Sequence, residues 1–432
     1  MSVPAVSVIL LNWQRPHAVH LTLAGLRQQR FEPFEIVVVG DRAHPPEGAE
    51  DVVWVQADEP NVAAARNLGI AAASGEILAF IDDDAVPEPG WLSQLVSALN
   101  RSADMAGGLV IGPSGWRSQW DARDLMATGE DVPTGQGLCP KLSGTNMAMT
   151  RTALAAVGGF DPGFAYYHED SDMALRMHCA GRVLAWVPEA VVHHDYAAST
   201  RRGVRAVPRD LTAIGRSTRR FCEKHASGSD VAALRRRMMR REWRRLDRFI
   251  VLGLLSGTQA GILLHDLGSA FDADPQGIGT PPLPVAAATA TRQLSQVDGQ
   301  PGHIALMPHL FARRTARRDA ERLRTLGYAV TLIEVSYSPR RLRVRFTRVG
   351  LWHHLGGTLS RGAFREHWVP PLRYRLASAR ELARCASVRL IDHVLTYDLR
   401  GTRRYRALRA MDAPVEQLFS MPSKRIELEK FD

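Results

Sequence analysis

Cysteine is scarce and scattered in this sequence, and long apolar runs are missing. The four cysteines, Cys139, Cys179, Cys222 and Cys385, form no Cys-x-x-Cys pair, so neither a zinc site nor a dithiol redox motif is indicated. This usage favours a reducing, cytoplasmic compartment. The N-terminal apolar run, residues 6–11, is too short for a signal peptide or a membrane span, and no basic residue precedes it. We therefore expect residues 6–11 to form a β-strand.

Aromatic residues are also sparse, at 7% of the 432 residues, whereas hydrophobic residues make up 45% and charged residues 23%. This composition excludes wholesale disorder, a collagen-like fibre and a disulfide-stapled miniprotein. At one domain per about 150 residues, the length predicts two or three domains.

Charge is divided unevenly along the chain. Residues 1–200 carry 12 Lys and Arg against 24 Asp and Glu, a net charge of −12, and residues 201–432 carry 43 against 21, a net charge of +22. The basic half includes an amphipathic helix expected over residues 235–248 and a strip of alternating arginines, Arg341, Arg343 and Arg345. These features suit peripheral contact with an anionic membrane, exposure to solvent, or pairing with the acidic half. Nucleic acid is a poorer partner, because the sequence shows no nucleic-acid-binding fold or aromatic stacking platform.

Strands and helices alternate in the first half of the chain. Continuous apolar runs of four to six residues are typical of buried parallel strands, and amphipathic or alanine-rich segments lie between them. This alternation of strands and helices predicts an α/β fold with a mostly parallel, Rossmann-like sheet flanked by helices. The expected elements are strands at 34–39, 52–55, 77–81 and 143–149 and helices at 17–29, 61–73, 151–157 and 170–180.

We expect three regions along the chain. Residues 1–225 form the α/β domain, residues 226–300 a basic helical segment and linker, and residues 301–432 a small α+β domain of unassigned role. Within the middle region, the apolar run at 249–264 predicts a core or interfacial helix, and residues 269–301 read as a linker rich in Ala, Pro, Gly and Thr.

Three adjacent carboxylates, Asp82, Asp83 and Asp84, follow the strand predicted at 77–81. Ligands of open α/β sheets bind at the carboxyl ends of strands, and Mg²⁺ or Mn²⁺ would offset the repulsion between the three charges. A solvated acidic turn is the alternative. A second acidic group, Glu169 and Asp170, opens a predicted helix, where it serves either as a helix-capping device or as a source of a general base.

Eight segments together resemble glycosyltransferase family 2 in order and spacing. The resemblance covers about residues 4–225 and is carried by residues 6–16, 35–41, 65–69, 74–84, 144–147, 158–161, 169–172 and 188–194. It implies a GT-A-like fold and a metal-dependent transferase that inverts the anomeric carbon. It also implies a UDP-, GDP- or dTDP-sugar donor and Mn²⁺ or Mg²⁺ as the cofactor.

The resemblance assigns roles to individual residues of this sequence. Asp170 would be the catalytic base, with Glu169 beside it. Asp84, Asp82 and His194 would hold the metal. The alternative for His194 is a structural role, which is common for a histidine that follows an apolar strand. The donor would contact Leu11, Asp41, Arg66, Asn67, Asp82 and Asp83, and the acceptor would border Gly144, Thr145 and Asn146.

Two departures from the family pattern qualify the expected function. Gly40 stands where the family often has an acidic residue, and Leu11 where it often has a Thr or Pro. These departures leave the identity of the donor's nucleotide base open. The chain has no Gln-x-x-Arg-Trp motif, so transfer of a single sugar to a glycan, glycolipid or surface-polymer precursor is expected instead of processive synthesis. The alternatives are a sugar-phosphate nucleotidyltransferase and a non-catalytic scaffold, and the expected location is cytoplasmic or peripheral at the inner face of the membrane.

Overall fold

The computed structural model describes residues 5–45, 48–115, 117–195, 199–226, 228–273, 302–336, 338, 341–357, 374–397, 402–407 and 424–425. Its two large sheets lie in the acidic and the basic half of the chain, and a region of three helices lies between them in the sequence.

The first sheet runs in the order β3-β2-β1-β4-β11-β6-β12-β5, with β7 paired to β6. Its strands are β1 (Val6–Asn12), β2 (Phe34–Gly40), β3 (Val53–Gln56), β4 (Ile77–Asp82), β5 (Ala85–Pro87), β6 (Met105–Ile111), β7 (Ser118–Trp120), β11 (Asn146–Thr150) and β12 (Leu184–His194). A small separate sheet contains β8 (Arg123–Leu125), β9 (Asp131–Pro133) and β10 (Cys139–Pro140). Strands β1 to β4 pair in parallel, as do β6 and β12, whereas β11 pairs antiparallel with both β4 and β6. The predicted α/β fold with a mostly parallel sheet flanked by helices is confirmed.

Five helices flank the first sheet: α1 (Pro16–Leu26), α2 (Val62–Ala72), α3 (Trp91–Arg101), α4 (Arg151–Val157) and α5 (Glu169–Cys179). Short polar side chains fix where two of them begin: Asn61 accepts the Ala64 amide at the start of α2, and Thr150 accepts the Ala153 amide at the start of α4. The apolar faces of α1 and α3 pack against one side of the sheet. These contacts hold the carboxyl ends of β1 and β4 in fixed positions.

A helical region follows the first sheet. It consists of α6 (Thr212–His225), α7 (Val231–Val251) and α8 (Gly257–Asp272), which pack together around Ile214, Met238, Leu246 and Leu267. The apolar run at 249–264 is divided between α7 and α8 and is not one helix: Gly253 has φ +66° and ends α7, and Ser256 starts α8 in a reciprocal capping box with Gln259. Helix α8 also extends to Asp272, inside the expected linker, and residues 274–301 lie outside the described residues. No helix of the described chain is both long and apolar enough to cross a bilayer.

The C-terminal sheet has seven strands in the order β15-β16-β14-β13-β17-β18-β19. Its elements are β13 (His303–Met307), α9 (Arg313–Thr325), β14 (Ala329–Ser336), β15 (Arg343–Phe346), β16 (Leu351–Gly357), α10 (Tyr374–Arg389), β17 (His393–Tyr397), β18 (Arg403–Ala407) and β19 (Lys424–Arg425). The four central strands are parallel. The expected alternation in β15 is confirmed, because Arg343 and Arg345 are exposed and Val344 is buried.

A buried ion pair joins the two sheets. The Arg389 guanidinium at the end of α10 donates to both oxygens of Glu88, at 2.6 and 2.9 Å, and the His193 imidazole contacts the same carboxylate at 2.8 Å. Arg389 also stacks over Trp352 at 4.3 Å, and both members of the pair are at least 97% buried. The carboxylate is held by two cationic or polar partners, so the pKa of Glu88 lies well below its usual range although burial acts to raise it.

Breaking this pair should strongly destabilise the fold. We expect Arg389→Met to lower the free energy of unfolding by about 3–5 kcal/mol, because it leaves the Glu88 carboxylate buried without its guanidinium. Arg27→Gln, which removes an ion pair with Asp51 that is about one third exposed, should cost about 1 kcal/mol or less. Urea unfolding followed by tryptophan fluorescence measures both, and equal costs for the two variants would contradict the expectation.

Candidate functional site

The candidate site lies where the strand order of the first sheet reverses. The chain passes from β1 outward to β2 and β3, and then returns to β4 on the other side of β1. Ligands of open α/β sheets bind in the crevice at such a point, beyond the carboxyl ends of the strands. Asn12 and Arg15 follow β1 there, and the three adjacent carboxylates follow β4, so polar groups from both strand ends meet at the crevice.

Asp82, Asp84 and His194 converge to form a possible metal-binding group. Each offers one ligand atom, and these atoms all lie within 4.8 Å of one another. His194 Nε2 lies 3.0 Å from Asp84 Oδ1 and 3.9 Å from Asp82 Oδ2. Two carboxylates and one imidazole fit Mn²⁺ or Mg²⁺ whose remaining positions are filled by water and substrate oxygens. We call these three residues the acidic cluster.

Positive charge surrounds Asp84. Arg15 Nη1 lies 3.0 Å and Arg202 Nη2 2.8 Å from Asp84 Oδ2, on the side away from His194. Burial acts to raise the pKa of Asp84, but His194 and the two guanidinium groups outweigh it and hold that pKa well below its usual range. Burial likewise acts to lower the pKa of His194, but Asp84 raises it above its ordinary value. Asp84 is therefore ionised at neutral pH and ready to bind a cation.

Asp83 has a different environment from its two neighbours. Its side chain is fully buried, accepts a hydrogen bond from Asn12 Nδ2 at 2.7 Å and lies 2.5 Å from Arg15 Nη2. Burial raises its pKa to about 7, although Arg15 opposes the shift. Asp83, which was expected to contact the donor, is held in the interior by Asn12 and Arg15.

The opposite wall of the crevice is the start of helix α5. His168 precedes the helix with φ +68°, a left-handed conformation uncommon for residues other than glycine. Asp170 Oδ2 accepts the Gly144 amide at 2.9 Å, and Arg66 Nη1 donates to Glu169 at 2.9 Å. Thr145 closes the remaining side, since its hydroxyl donates to Asp82 Oδ2 at 2.6 Å.

Arg66 lies between the two acidic groups. Its guanidinium is 4.0 Å from Asp82 and 2.9 Å from Glu169, and it packs on the rings of Phe80 and Phe160 at 5.9 and 5.2 Å. The side chain is 96% buried, so its position is fixed by packing as well as by charge. Arg66 therefore brings the acidic cluster and the start of α5 into one site.

Glu169 should make stability depend on pH. Burial raises its pKa to about 7 from an ordinary value of 4.5, with Asp170 adding to the shift and Arg66 opposing it. The folded state then binds more protons than the unfolded state between these values, so this group lowers the stability as pH rises from 4.5 to 7. We expect the unfolding free energy of Glu169→Gln, relative to the unsubstituted protein, to increase by up to about 3 kcal/mol between pH 5 and 8. Urea unfolding at both pH values measures this difference, and a constant difference would contradict it.

A cavity of about 1150 Å³ extends from this crevice to the basic helix α7. Its inner wall contains Arg66, Asp82, Gly144, Thr145, Glu169, Asp170 and His194. Its outer wall is mainly arginine, from two segments: Arg201 and Arg202 on one side, and Arg237, Arg240, Arg241, Arg244, Arg245 and Arg248 of α7 on the other. The cavity is thus acidic at the sheet and basic at the helical hairpin.

Six predicted residues lie outside the lining of this cavity: Asp83 and Asp84, behind Asp82, and four others, Leu11, Asp41, Asn67 and Asn146. Asn67 is buried and exchanges two hydrogen bonds with the backbone of Phe160, at 2.8 and 2.9 Å. Asn146 is fully buried, donates to the Leu109 and Ala190 carbonyls and accepts from Trp91. Leu11 packs beside Val39, Ala57 and Ala65, and Asp41 accepts a weak hydrogen bond from the Gln14 amide at 3.3 Å. The two amide side chains therefore support the backbone around the site.

The sequence did not point to three polar contributors. Arg15 follows β1 at the same sheet edge as Asp84, and the rule for strand ends would have found it. Arg202 and Gln119 come from irregular parts of the chain: Arg202 contacts Asp84, and Gln119 Oε1 lies 3.0 Å from His194 Nδ1. Neither has a local pattern that marks it among the many polar residues nearby.

Comparison with known proteins identifies the part of the chain that contains this site. Residues 7–158 match the model of the glycosyl transferase family 2. The chain therefore carries a family 2 glycosyltransferase domain. This match includes the three adjacent carboxylates, Gly144 and Thr145, whereas Glu169, Asp170 and His194 lie beyond its end.

Two relatives match the chain over a similar region. The succinoglycan biosynthesis protein ExoM of Rhizobium meliloti is 26% identical over 217 residues, which are 44% of this chain and 66% of ExoM. The N-acetylglucosaminyl-diphospho-decaprenol L-rhamnosyltransferase of Mycobacterium tuberculosis is 31% identical over 176 residues, 40% of this chain and 52% of that protein. The chain thus spans between half and two thirds of the length of these relatives.

Among solved structures, a similar one is the mannosyltransferase PcManGT of Pyrobaculum calidifontis in complex with GDP-Man and Mn²⁺. It shares 16% sequence identity with this chain at a TM-score of 0.38, and the alignment covers 62% of this chain and 74% of that protein.

Proposed function

We propose that the protein is a metal-dependent, inverting glycosyltransferase. It would move one sugar from a nucleotide-diphosphate sugar to a hydroxyl of a glycan, glycolipid or cell-envelope polymer precursor. The observation that carries this proposal is that Asp82 and His194 of the acidic cluster line the same cavity as Asp170, with Arg66 between them, in a glycosyl transferase family 2 domain.

The acidic cluster would bind the donor diphosphate through Mn²⁺ or Mg²⁺. The cation would neutralise charge that develops on the leaving diphosphate. Arg15 and Arg202 hold the Asp84 carboxylate on the side opposite His194, so the cluster keeps its arrangement without the donor. Thr145 fixes Asp82 in the same way through its hydroxyl.

Asp170 would act as the general base. Its Oδ2 is held by the Gly144 amide, and its Oδ1 accepts the Ser171 amide at 2.6 Å, so the carboxylate is fixed at the cavity wall. It would take the proton of the acceptor hydroxyl as that oxygen attacks the anomeric carbon. Attack from the side opposite the leaving diphosphate breaks the old bond as the new one forms and inverts the anomeric carbon. Glu169, paired with Arg66, would contact sugar or acceptor hydroxyls.

The names of the relatives support an acceptor linked to the cell envelope. One is named for succinoglycan biosynthesis and the other for a diphospho-decaprenol acceptor. For this chain, an acceptor of that kind suits the cavity, whose outer wall is basic. A cytoplasmic location, peripheral at the inner face of the membrane, would give access to both the nucleotide sugar and such an acceptor.

Release of nucleoside diphosphate tests the proposal. The purified full chain would be incubated with UDP-, GDP- and dTDP-sugars in Mn²⁺ or Mg²⁺, with and without EDTA, and water would serve as the acceptor. Slow, metal-dependent release from one class of donor is the expected result. Release of pyrophosphate from a sugar phosphate and a nucleoside triphosphate would show a nucleotidyltransferase instead. Absence of release together with absence of metal-dependent nucleotide binding would show a scaffold.

A further inference from the structure

We propose that the α7–α8 hairpin is a membrane-docking surface whose apolar tip enters an anionic bilayer and whose arginines bind lipid phosphates at the mouth of the catalytic cavity. This inference deepens the proposed function, because it assigns the acceptor to lipids that carry phosphate. The part that concerns the acceptor rests on the proposed function.

The tip of the hairpin exposes large apolar side chains. Val251 and Leu252, at the end of α7, are 79% and 68% exposed, and Ile262 on the first turns of α8 is 56% exposed. Trp243, two turns before the tip, is 48% exposed. A loop tip this apolar is unusual at a surface in contact with water only, and tryptophan is enriched where proteins meet the membrane interface.

A row of arginines leads from this tip along α7. Arg240, Arg244 and Arg248 recur every four residues, so they share one face of the helix over about 12 Å. Their neighbours differ in having carboxylate partners, since Arg237 pairs with Glu130, and Arg241 and Arg245 share Glu242. Within the described residues, the three arginines of the row have no carboxylate partner. They are therefore free to bind anions from outside the chain.

The row of arginines lies at the cavity that Asp82 and His194 of the acidic cluster also line, and the tip follows the row along the chain. Arg240, Arg244, Arg248 and Phe249 line its outer wall, and Leu252 follows Phe249 by three residues. A phosphate bound by the row would therefore stand at the cavity mouth, with the attached sugar directed toward Asp170. The lipid chain would extend past the apolar tip.

An anionic bilayer fits this surface better than other occupants. Apolar insertion and cationic contact with headgroups strengthen each other at a membrane, and each arginine near an anionic surface adds about fivefold in affinity. A second copy of the chain would bring a second row of arginines against the first, and the like charges would repel. An acidic protein would satisfy the arginines but would leave the tip without an apolar partner.

Vesicle flotation tests the docking surface without any donor or acceptor. The full chain would be mixed with vesicles of phosphatidylcholine alone or with 30% phosphatidylglycerol, at low and high salt. We expect binding to the anionic vesicles only, weakened by salt. The triple variant Arg240→Gln, Arg244→Gln, Arg248→Gln should bind about 100-fold more weakly, and Leu252→Asp at least tenfold more weakly.

Matched controls use exposed residues of the C-terminal sheet region. Arg314→Gln, Arg318→Gln, Arg324→Gln removes three exposed arginines of α9, and Val349→Asp changes an apolar residue that is 53% exposed. Both should bind vesicles like the unsubstituted chain, and circular dichroism confirms that every variant is folded. Three outcomes would overturn the proposal. They are equal binding to both vesicle compositions, binding that the hairpin variants do not weaken, and binding to polyglutamate that is as tight as binding to anionic vesicles. Nucleoside diphosphate release measured without vesicles tests the transferase activity separately.

Discussion

Asp84→Asn should abolish metal-dependent release of nucleoside diphosphate, with a loss of about 1000-fold or more. The substitution keeps the shape of the side chain but removes the charge that faces His194 across 3.0 Å. Electrostatic stabilisation by a bound cation contributes several kcal/mol to the transition state, and each 1.36 kcal/mol changes the rate tenfold. Initial rates over a range of Mn²⁺ concentrations measure the loss, because a weakened site also needs more metal.

The control for this variant is Asp51→Asn. Asp51 is partly exposed, pairs with Arg27 and does not line the cavity, so its substitution makes the same chemical change away from the candidate site. We expect its rate to stay within a factor of two of the unsubstituted chain. Metal-stimulated release by Asp84→Asn within tenfold of normal would refute a role for Asp84 in metal binding.

Asp170→Asn should lower the turnover by about 100- to 10,000-fold, the usual contribution of a general base. The amide keeps one oxygen that can accept the Gly144 amide, so the cavity wall should hold its arrangement. In the proposed function the donor and metal would bind at the acidic cluster, so the dissociation constant for the nucleoside diphosphate should change by less than threefold. Stopped assays give the turnover, and calorimetric titration gives the binding.

This separation of turnover from binding distinguishes a base from a residue that only supports the fold. Asp104→Asn serves as the control, since Asp104 lies near the surface beside Arg182 and away from the cavity. A variant Asp170→Asn that retains full turnover, or that loses nucleotide binding in proportion to turnover, would contradict the assignment.

Local patterns were sufficient to predict strands β1 to β4 and β11 of the first sheet, but not β5, β6 or β7. Strands β1, β2 and β4 are continuous apolar runs, and Asn61 and Thr150 are polar side chains that cap the next helices. The approximate positions of these elements therefore follow from properties that each segment carries by itself. Helix α4 spans residues 151–157, as expected.

Contacts between distant segments were harder to predict. His194 meets Asp84 across 110 positions in the sequence, and only the resemblance to a family brought them together beforehand. Asn67 was expected at the donor, but its amide pairs with the backbone of Phe160, a partner that no spacing reveals. The break at Gly253 was also missed, although the capping pair Ser256 and Gln259 is visible in the sequence.

The buried ion pair between Arg389 and Glu88 limits how the chain can be divided into fragments that fold. Glu88 belongs to the first sheet region and Arg389 to the C-terminal sheet region, 301 positions later. His193, which contacts the same Glu88 carboxylate, directly precedes His194 of the acidic cluster. A fragment that ends at residue 225 would expose Val86, which packs against Trp352, and would leave the Glu88 carboxylate without its cation. We therefore expect the first sheet region and the C-terminal sheet to unfold together as one cooperative unit. The integrity of the candidate site would then depend on a region none of whose described residues lines the cavity.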